Sequence, residues 1–469
     1  MLLPTVLARS LTLGLAVTAL LIAARTTPAE ESGLLAEEPF SSAIDRERPL
    51  VNGQQTLPQL IAFALAHNPE ISATAFDGEA AAARTAAAQG ALLPRVSIEG
   101  GYTYYGDDLR LTAARYNGEP GVFGNNILTT DLVLRLPLYT GGRLTAEMRA
   151  AELLEASAGQ RLARSQGELV YNVSILYFSQ LAQAQLIESL RFSAETLTAQ
   201  LDRVNALIAG RKAAKVDALR TEVKLADLRQ RLLREQNNLR IQRQALLNLL
   251  GAGGAAPDFA LAGTLTAPPA DRRPLASLVE MALLRRPDAQ AAQAEVAAQI
   301  QRIEAARAGH RPTVNLVGAT GLRAMNDPTQ QPPGQNTSDN ASRIGITVEI
   351  PLFEGGRTTA RVNEENAKLN AQRDRLGKLQ LQIRLDVETA YANLASTRER
   401  LASAGKAIVL AIESLRIEQE KYALGRGIVL DVLDAQSALL EAQATQIRAL
   451  ADANAAAAQL ALATGENLP

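Results

Sequence analysis

The chain has 469 residues, a formal net charge of −1, two histidines, and neither cysteine nor tryptophan. Such a balance offers nothing to a polyanion, which excludes nucleic acid as a partner. The lack of Cys removes disulfides, thiolate metal sites, a thiol nucleophile and lipid attachment through an N-terminal cysteine.

In chain order, Arg9 precedes an apolar run from Leu11 to Ala24, and small residues near Ala29 offer a cleavage site. The run is shorter than the roughly 20 residues a spanning helix needs, so residues 1–29 are expected to be an export signal. Residues 30–56 form a polar lead of no evident role. From there the chain is written twice. Leu57, Leu60, Leu65 and Pro69 match Leu275, Leu278, Leu283 and Pro287, and Pro94 matches Pro312. "PLYTGGR" at Pro137 returns as "PLFEGGR" at Pro351, then Val173/Val387, Tyr177/Tyr391, Asp217/Asp431 and Gly251/Gly465 follow. This is a duplicated structural unit, residues 57–250 and 275–465, joined by a Gly-, Pro- and Ala-rich linker over 251–274.

Within each unit a short helix ends near Pro69 or Pro287, and an Ala-rich helix runs to about Gly90 or Gly309. Period-two alternation then marks two strands per unit, over about 95–105 and 128–138, and about 313–322 and 343–353. Leu132, Leu134 and Leu136 oppose Asp131, Val133 and Arg135, while Ile344, Ile346 and Val348 oppose Arg343, Thr347 and Glu349. Polar loops between the strands read as extracellular. No proline stands between Pro137 and Pro257, or between Pro351 and Pro469, which points to long helices broken near residues 210 and 425. Leu225, Leu228, Leu232, Leu239, Leu246 and Leu249 lie on a heptad seam, as in a coiled coil.

Strands of about 10 residues suit a tilted membrane strand, but four cannot close a barrel, which needs at least about eight. Open edges cannot sit in lipid, so a membrane reading demands oligomerisation. Three copies would supply twelve strands around an aqueous lumen. Pro137 and Pro351 are expected to end a strand at the membrane edge, because proline cannot donate to a ladder. The pairs Gly141-Gly142 and Gly355-Gly356 would turn the path from strand into helix. The alternative is a wholly periplasmic coiled-coil scaffold with no channel.

The two Gly-Gly-Arg crossings and the segment "YALGRGIVLDVLDAQSALLEAQ" resemble the TolC family of outer-membrane efflux proteins, over Leu57 to Gly465. The resemblance implies an α+β membrane protein, a homotrimer whose twelve-stranded β-barrel, four strands per chain, sits in outer-membrane lipid. The barrel would continue as a helical tunnel through the periplasm. It further implies a passive exit duct served by a periplasmic adaptor and an inner-membrane transporter. Asp431 and Asp434, three apart on one helix face, match relatives' aspartates that ring the tunnel entrance, and Tyr422 matches a tyrosine that helps hold it closed. Asp217 is the counterpart of Asp431, but Arg220 stands where a second aspartate would, which suggests that the second hairpin faces the lumen. The family's gate arginine position is Gly427 here, with Arg426 one residue earlier. Gly210-Arg211 and Gly425-Arg426 are the natural tips for docking the adaptor.

No nucleophile–base set and no Gly-rich phosphate loop ending in Lys-Ser/Thr is present, so neither an enzyme nor a cofactor or metal site is expected. His67 and His310 fall at helix ends, where capping or solvated roles fit. Cargo and the identity of the partner proteins are not written in the chain.

Overall fold

The structure, a computed structural model, describes residues 53–211, 213–252 and 259–466. The expected export signal and most of the polar lead lie outside the described residues. In the first half β1 (Gly53–Gln55), α1 (Leu57–His67) and α2 (Pro69–Gly90) lead into β2 (Arg95–Arg110) and β3 (Phe123–Tyr139). A helical hairpin of α3 (Arg143–Ala209) and α4 (Lys215–Leu249) follows. After β4 (Phe259–Leu261), the second half repeats the plan as α5 (Leu275–Arg285), α6 (Pro287–Arg307), β5 (Thr313–Ala324), β6 (Ser338–Glu349), α7 (Arg357–Ala423) and α8 (Val429–Thr464).

The long helices α3 and α7 each contain 67 residues, about 100 Å at 1.5 Å per residue. Each starts at a glycine in the left-handed region, Gly142 (φ 88°) and Gly356 (φ 79°), directly after a second left-handed glycine. No helix among the described residues is long and apolar enough to cross a membrane. Their apolar stripes serve packing instead. In the first half Leu60, Leu169, Val173, Leu246 and Leu250 form one core between α1, α3 and α4. In the second, Leu278, Ile383, Val387, Leu394 and Leu460 form its counterpart. A third core joins the halves: Leu190, Leu197 and Val204 of α3 and Leu225 of α4 pack with Val429, Leu433 and Leu440 of α8.

The position before each inter-helix proline is filled differently in the two halves. Asn68 caps α2, accepting from the Glu70 and Ile71 amides and donating to the Leu249 carbonyl at 2.8 Å. Arg286 is buried and spans Asp288 at 2.6 Å and Asp386 at 2.8 Å. Burial opposes the Asp288 charge, but the Arg286 guanidinium outweighs it and holds the carboxyl below its ordinary range. The linker contributes β4, which pairs in parallel with β1, and its Thr266 and Pro269 carbonyls accept from Asn454 of α8 and Arg398 of α7.

All four long strands form one antiparallel sheet in the order β2-β3-β5-β6. The strands reach further from the crossings than alternation indicates, since β2 runs on to Arg110, β3 starts at Phe123 and β6 starts at Ser338, but β6 stops at Glu349, short of the expected end near 353. The expectation that Pro137 ends its strand is corrected. Pro137 pairs with Asn315 inside β3, which runs through a register irregularity to Tyr139. The pairing of β2 begins at Arg95, opposite Arg135, so beside Pro137 no neighbour on that edge asks for an amide. Pro351, by contrast, lies two residues beyond the end of β6.

Candidate functional site

Three places carry the expected function: the sheet, the strand-to-helix crossings and the hairpin tips. In the sheet, register sorts the side chains. Val96, Leu134, Gly318 and Ile344 stand in one cross-strand row, Ile98 and Leu132 in the next, and Leu136, Leu316 and Ile346 in another. All belong to one face, with Ile98 76% and Ile344 71% exposed. The opposite face carries Glu99, Asp131, Arg135, Arg323, Asp339 and Arg343. There Arg135 pairs with Glu99, and Arg323 lies 3.8 Å from Asp131. A sheet apolar on one side and charged on the other, with the apolar side left open by the described residues, is the wall of a membrane barrel around a wet lumen. Its outer edges, β2 and β6, have no partner strand among the described residues.

At the first crossing Gly141 (φ 67°) packs against the second half: a Cβ there would stand 2.8 Å from Arg311 Cβ and 2.9 Å from the Ala308 carbonyl. Arg311 donates to the Gly141 carbonyl at 2.8 Å. The second crossing has the same left-handed glycines, Gly355 (φ 62°) and Gly356, yet a Cβ at either meets open space. Beside it Phe353 is 90% exposed.

The tips lie between α3 and α4 and between α7 and α8. In the second, Gly425 takes the left-handed conformation (φ 70°), its amide donates to the Tyr422 carbonyl at 3.0 Å and the Arg426 amide donates to Lys421 at 2.9 Å. This is a Schellman closure, which satisfies two orphan carbonyls of α7. In the first tip the left-handed residue is Arg211 (φ 58°), whose amide donates to Ile208 at 2.9 Å. Since α3 and α7 keep one offset throughout, Arg211 occupies the place of Gly425, and Gly210 that of Leu424. The Gly-Arg pairs that look alike in sequence are thus displaced by one residue in space.

Around the tips, Asp431 lies in the first turn of α8, exposed, with Asp434 one turn on and also exposed. Asp434 is 3.7 Å from Lys224 of α4, and seven residues further along both helices Arg231 meets Glu441 at 3.3 Å. Sequence reading missed these two pairs. Their signal, matched heptad steps of opposite charge on α4 and α8, becomes visible only once the helices are known to be neighbours. Tyr422 packs against the core shared by the halves, and its hydroxyl makes no hydrogen bond to another described residue. Burial raises its phenol above the ordinary range and the nearby Asp217 carboxylate adds to the rise, against Arg203. Within one chain, therefore, Tyr422 sits by Asp217, not bonded to Asp431 or Asp434. Among the described residues no group of three His, Cys, Asp or Glu is placed to hold a metal ion.

The outer membrane efflux protein family matches this chain over residues 60–252 and again over 278–466. The chain belongs to that family. Outer membrane protein TolC of Escherichia coli is 22% identical over 398 residues, covering 83% of this chain and 78% of TolC. Protein CyaE of Bordetella pertussis is 27% identical over 416 residues, covering 87% and 84%. The solved structure of outer membrane protein VceC from Vibrio cholerae superposes with a TM-score of 0.70 at 20% identity, over 87% of this chain and 96% of that one. This outer membrane efflux protein is a passive channel of the outer membrane that reaches into the periplasm, and not an enzyme. A periplasmic scaffold without a channel is set aside by that membership. The family's members belong to multi-component efflux and secretion systems.

Proposed function

We propose that three copies of this chain assemble into one duct, a twelve-stranded barrel continued by a tube of long helices, which carries solutes outward. An inner-membrane transporter would load the duct and a periplasmic adaptor would dock on it. The observation that carries this reading is the two-faced sheet with both outer edges unpaired, joined through left-handed glycine pairs to two helices of equal length. An unpaired edge in lipid costs several kcal/mol per backbone group, and a neighbour's β2 beside β6 removes it. In this reading the tips, Gly210-Arg211 and Gly425-Arg426, contact the adaptor. Asp431 and Asp434 from three copies form a ring of carboxylates at the periplasmic end, which favours cations there. The partial neutralisation of Asp434 by Lys224 makes Asp431 the stronger contributor.

The test is single-channel conductance in planar bilayers for wild type and for Asp431→Ala/Asp434→Ala. A small conductance blocked by multivalent cations, with the block lost in the double variant, supports both duct and ring. Conductance with the block intact removes the ring and keeps the duct. No conductance from folded protein removes the duct.

A further inference from the structure

The connection between β2 and β3 reads in sequence as a plain polar loop, yet it is a built element. It sits at the end of the sheet remote from the glycine crossings, and its neck is closed by the Leu111 amide donating to Val122 at 2.9 Å. Arg110 fastens it from below. Its guanidinium donates to the carbonyls of Thr112 (2.9 Å), Glu119 (2.9 Å) and Pro120 (3.2 Å) and to the Glu119 carboxylate (3.3 Å). Five donors on a planar fork suit such enclosure, and a Cβ at Gly121 would stand 2.6 Å from the guanidinium carbon.

Where the loop goes is decided by Asp339. Thr112 Oγ1 donates to its carboxylate at 3.1 Å, and Arg115 lies 3.8 Å from it. Asp339 is on β6, opposite Arg323 on the charged face, and β5 separates β6 from β3. A loop leaving β2 and returning to β3 can touch Asp339 only by crossing β5 on that charged face. Two apolar residues confirm the path. Ile127 and Met325 would be solvated side by side on the charged face at this level, but Leu111 and Val122 cover them, and all four are buried.

We propose that residues 111–122 are a strap laid across the luminal side of the sheet at its outer end, so that the straps of the assembled duct narrow its exit and limit the size of solute that passes. This rests on the duct reading above, since only a closed barrel makes the charged face a lumen. The limit is then set by pore diameter at the exit as well as by charge at the periplasmic end.

Because the chain has no cysteine, one introduced thiol reports alone. Arg343→Cys places it on the charged face, four residues along β6 from Asp339 and about 13 Å deeper. Intact cells would be treated from outside with a small charged methanethiosulfonate and with a maleimide carrying a polyethylene glycol chain. The expected result is fast reaction with the small reagent and slow reaction with the bulky one. Arg110→Ala, or Thr112→Ala/Arg115→Ala, should raise the bulky rate by about tenfold or more and leave the small rate unchanged. In the Thr112/Arg115 variant one half-buried hydroxyl and one exposed side chain are removed, a milder change that keeps the test open should Arg110→Ala not fold. A bulky rate already equal to the small one, or one unmoved by releasing the strap, overturns the strap and leaves the duct. If the thiol of Arg343→Cys fails to react even with the small reagent, the charged face is not a lumen, and the duct reading falls with the strap.

Discussion

The two halves of the chain share a plan but not an environment. In the first half, β3 has strands on both sides, α3 packs along α2, α4, α6 and α8, and Gly141 is wedged against Ala308 and Arg311. In the second half, β6 is an edge, α7 leaves Leu381, Leu385, Leu410 and Ile412 exposed, and Gly355 faces open space. The cover that β5, Ala308 and Arg311 give to β3 and Gly141 has no counterpart at β6 and Gly355 among the described residues. Duplication therefore supplied an interface used once within the chain, and the same interface stands ready for use between chains.

The comparison can be broken most sharply at the residue before each inter-helix proline. Arg286→Ala leaves two carboxylates without their cation and should cost about 3 kcal/mol of stability, read by thermal melting in detergent. Asn68→Ala removes a cap and should cost about 1 kcal/mol. Equal costs would mean that the two positions are equivalent after all.

Gly141→Ala and Gly355→Ala both force a left-handed alanine, a cost of about 1–2 kcal/mol. Gly141→Ala should cost about 1 kcal/mol more, because its methyl collides with Ala308 and Arg311. In the assembled protein that gap should close if a neighbouring copy covers Gly355. A gap that persists in the assembled protein would argue against such cover.

Acid sharpens the contrast further. The folded pKa of Asp288 is depressed below its unfolded value of about 3.9, so its contribution is whole above about pH 4 and fades as pH falls through the folded value. The melting-temperature gap between wild type and Asp288→Asn should stay constant from neutral to about pH 5 and close only below pH 4. A gap that closes near pH 6 would assign it to another group. The smallest effect is expected at the charged pairs between α4 and α8. Arg231→Ala should cost at most about 1 kcal/mol, and less in high salt.

How far the sequence discloses this molecule varies by element. The helices are legible because nothing interrupts them, and the strand cores because Ile344 to Val348 alternate cleanly and Leu132, Leu134 and Leu136 recur at every second place. The start of β6 is not, since Ser338 to Ser342 is polar or small on both faces and carries no period. The extension of β2 through Gly106 to Arg110 is hidden for the same reason. At the tips the repeated Gly-Arg dipeptide misleads, because Arg211 adopts a conformation usually left to glycine. The Lys224–Asp434 pair joins residues from different halves, and no local pattern announces it.

Equal length in α3 and α7 constrains what the chain can become. Deleting one residue from either helix would draw its tip back by about 1.5 Å and turn everything beyond it by about 100°. The two tips would then stand at different depths, with their seams facing away from their partners. Insertions that survive in such a chain must come in whole heptads, in both helices of each hairpin and in both halves together, so its reach grows in paired steps of about 10 Å.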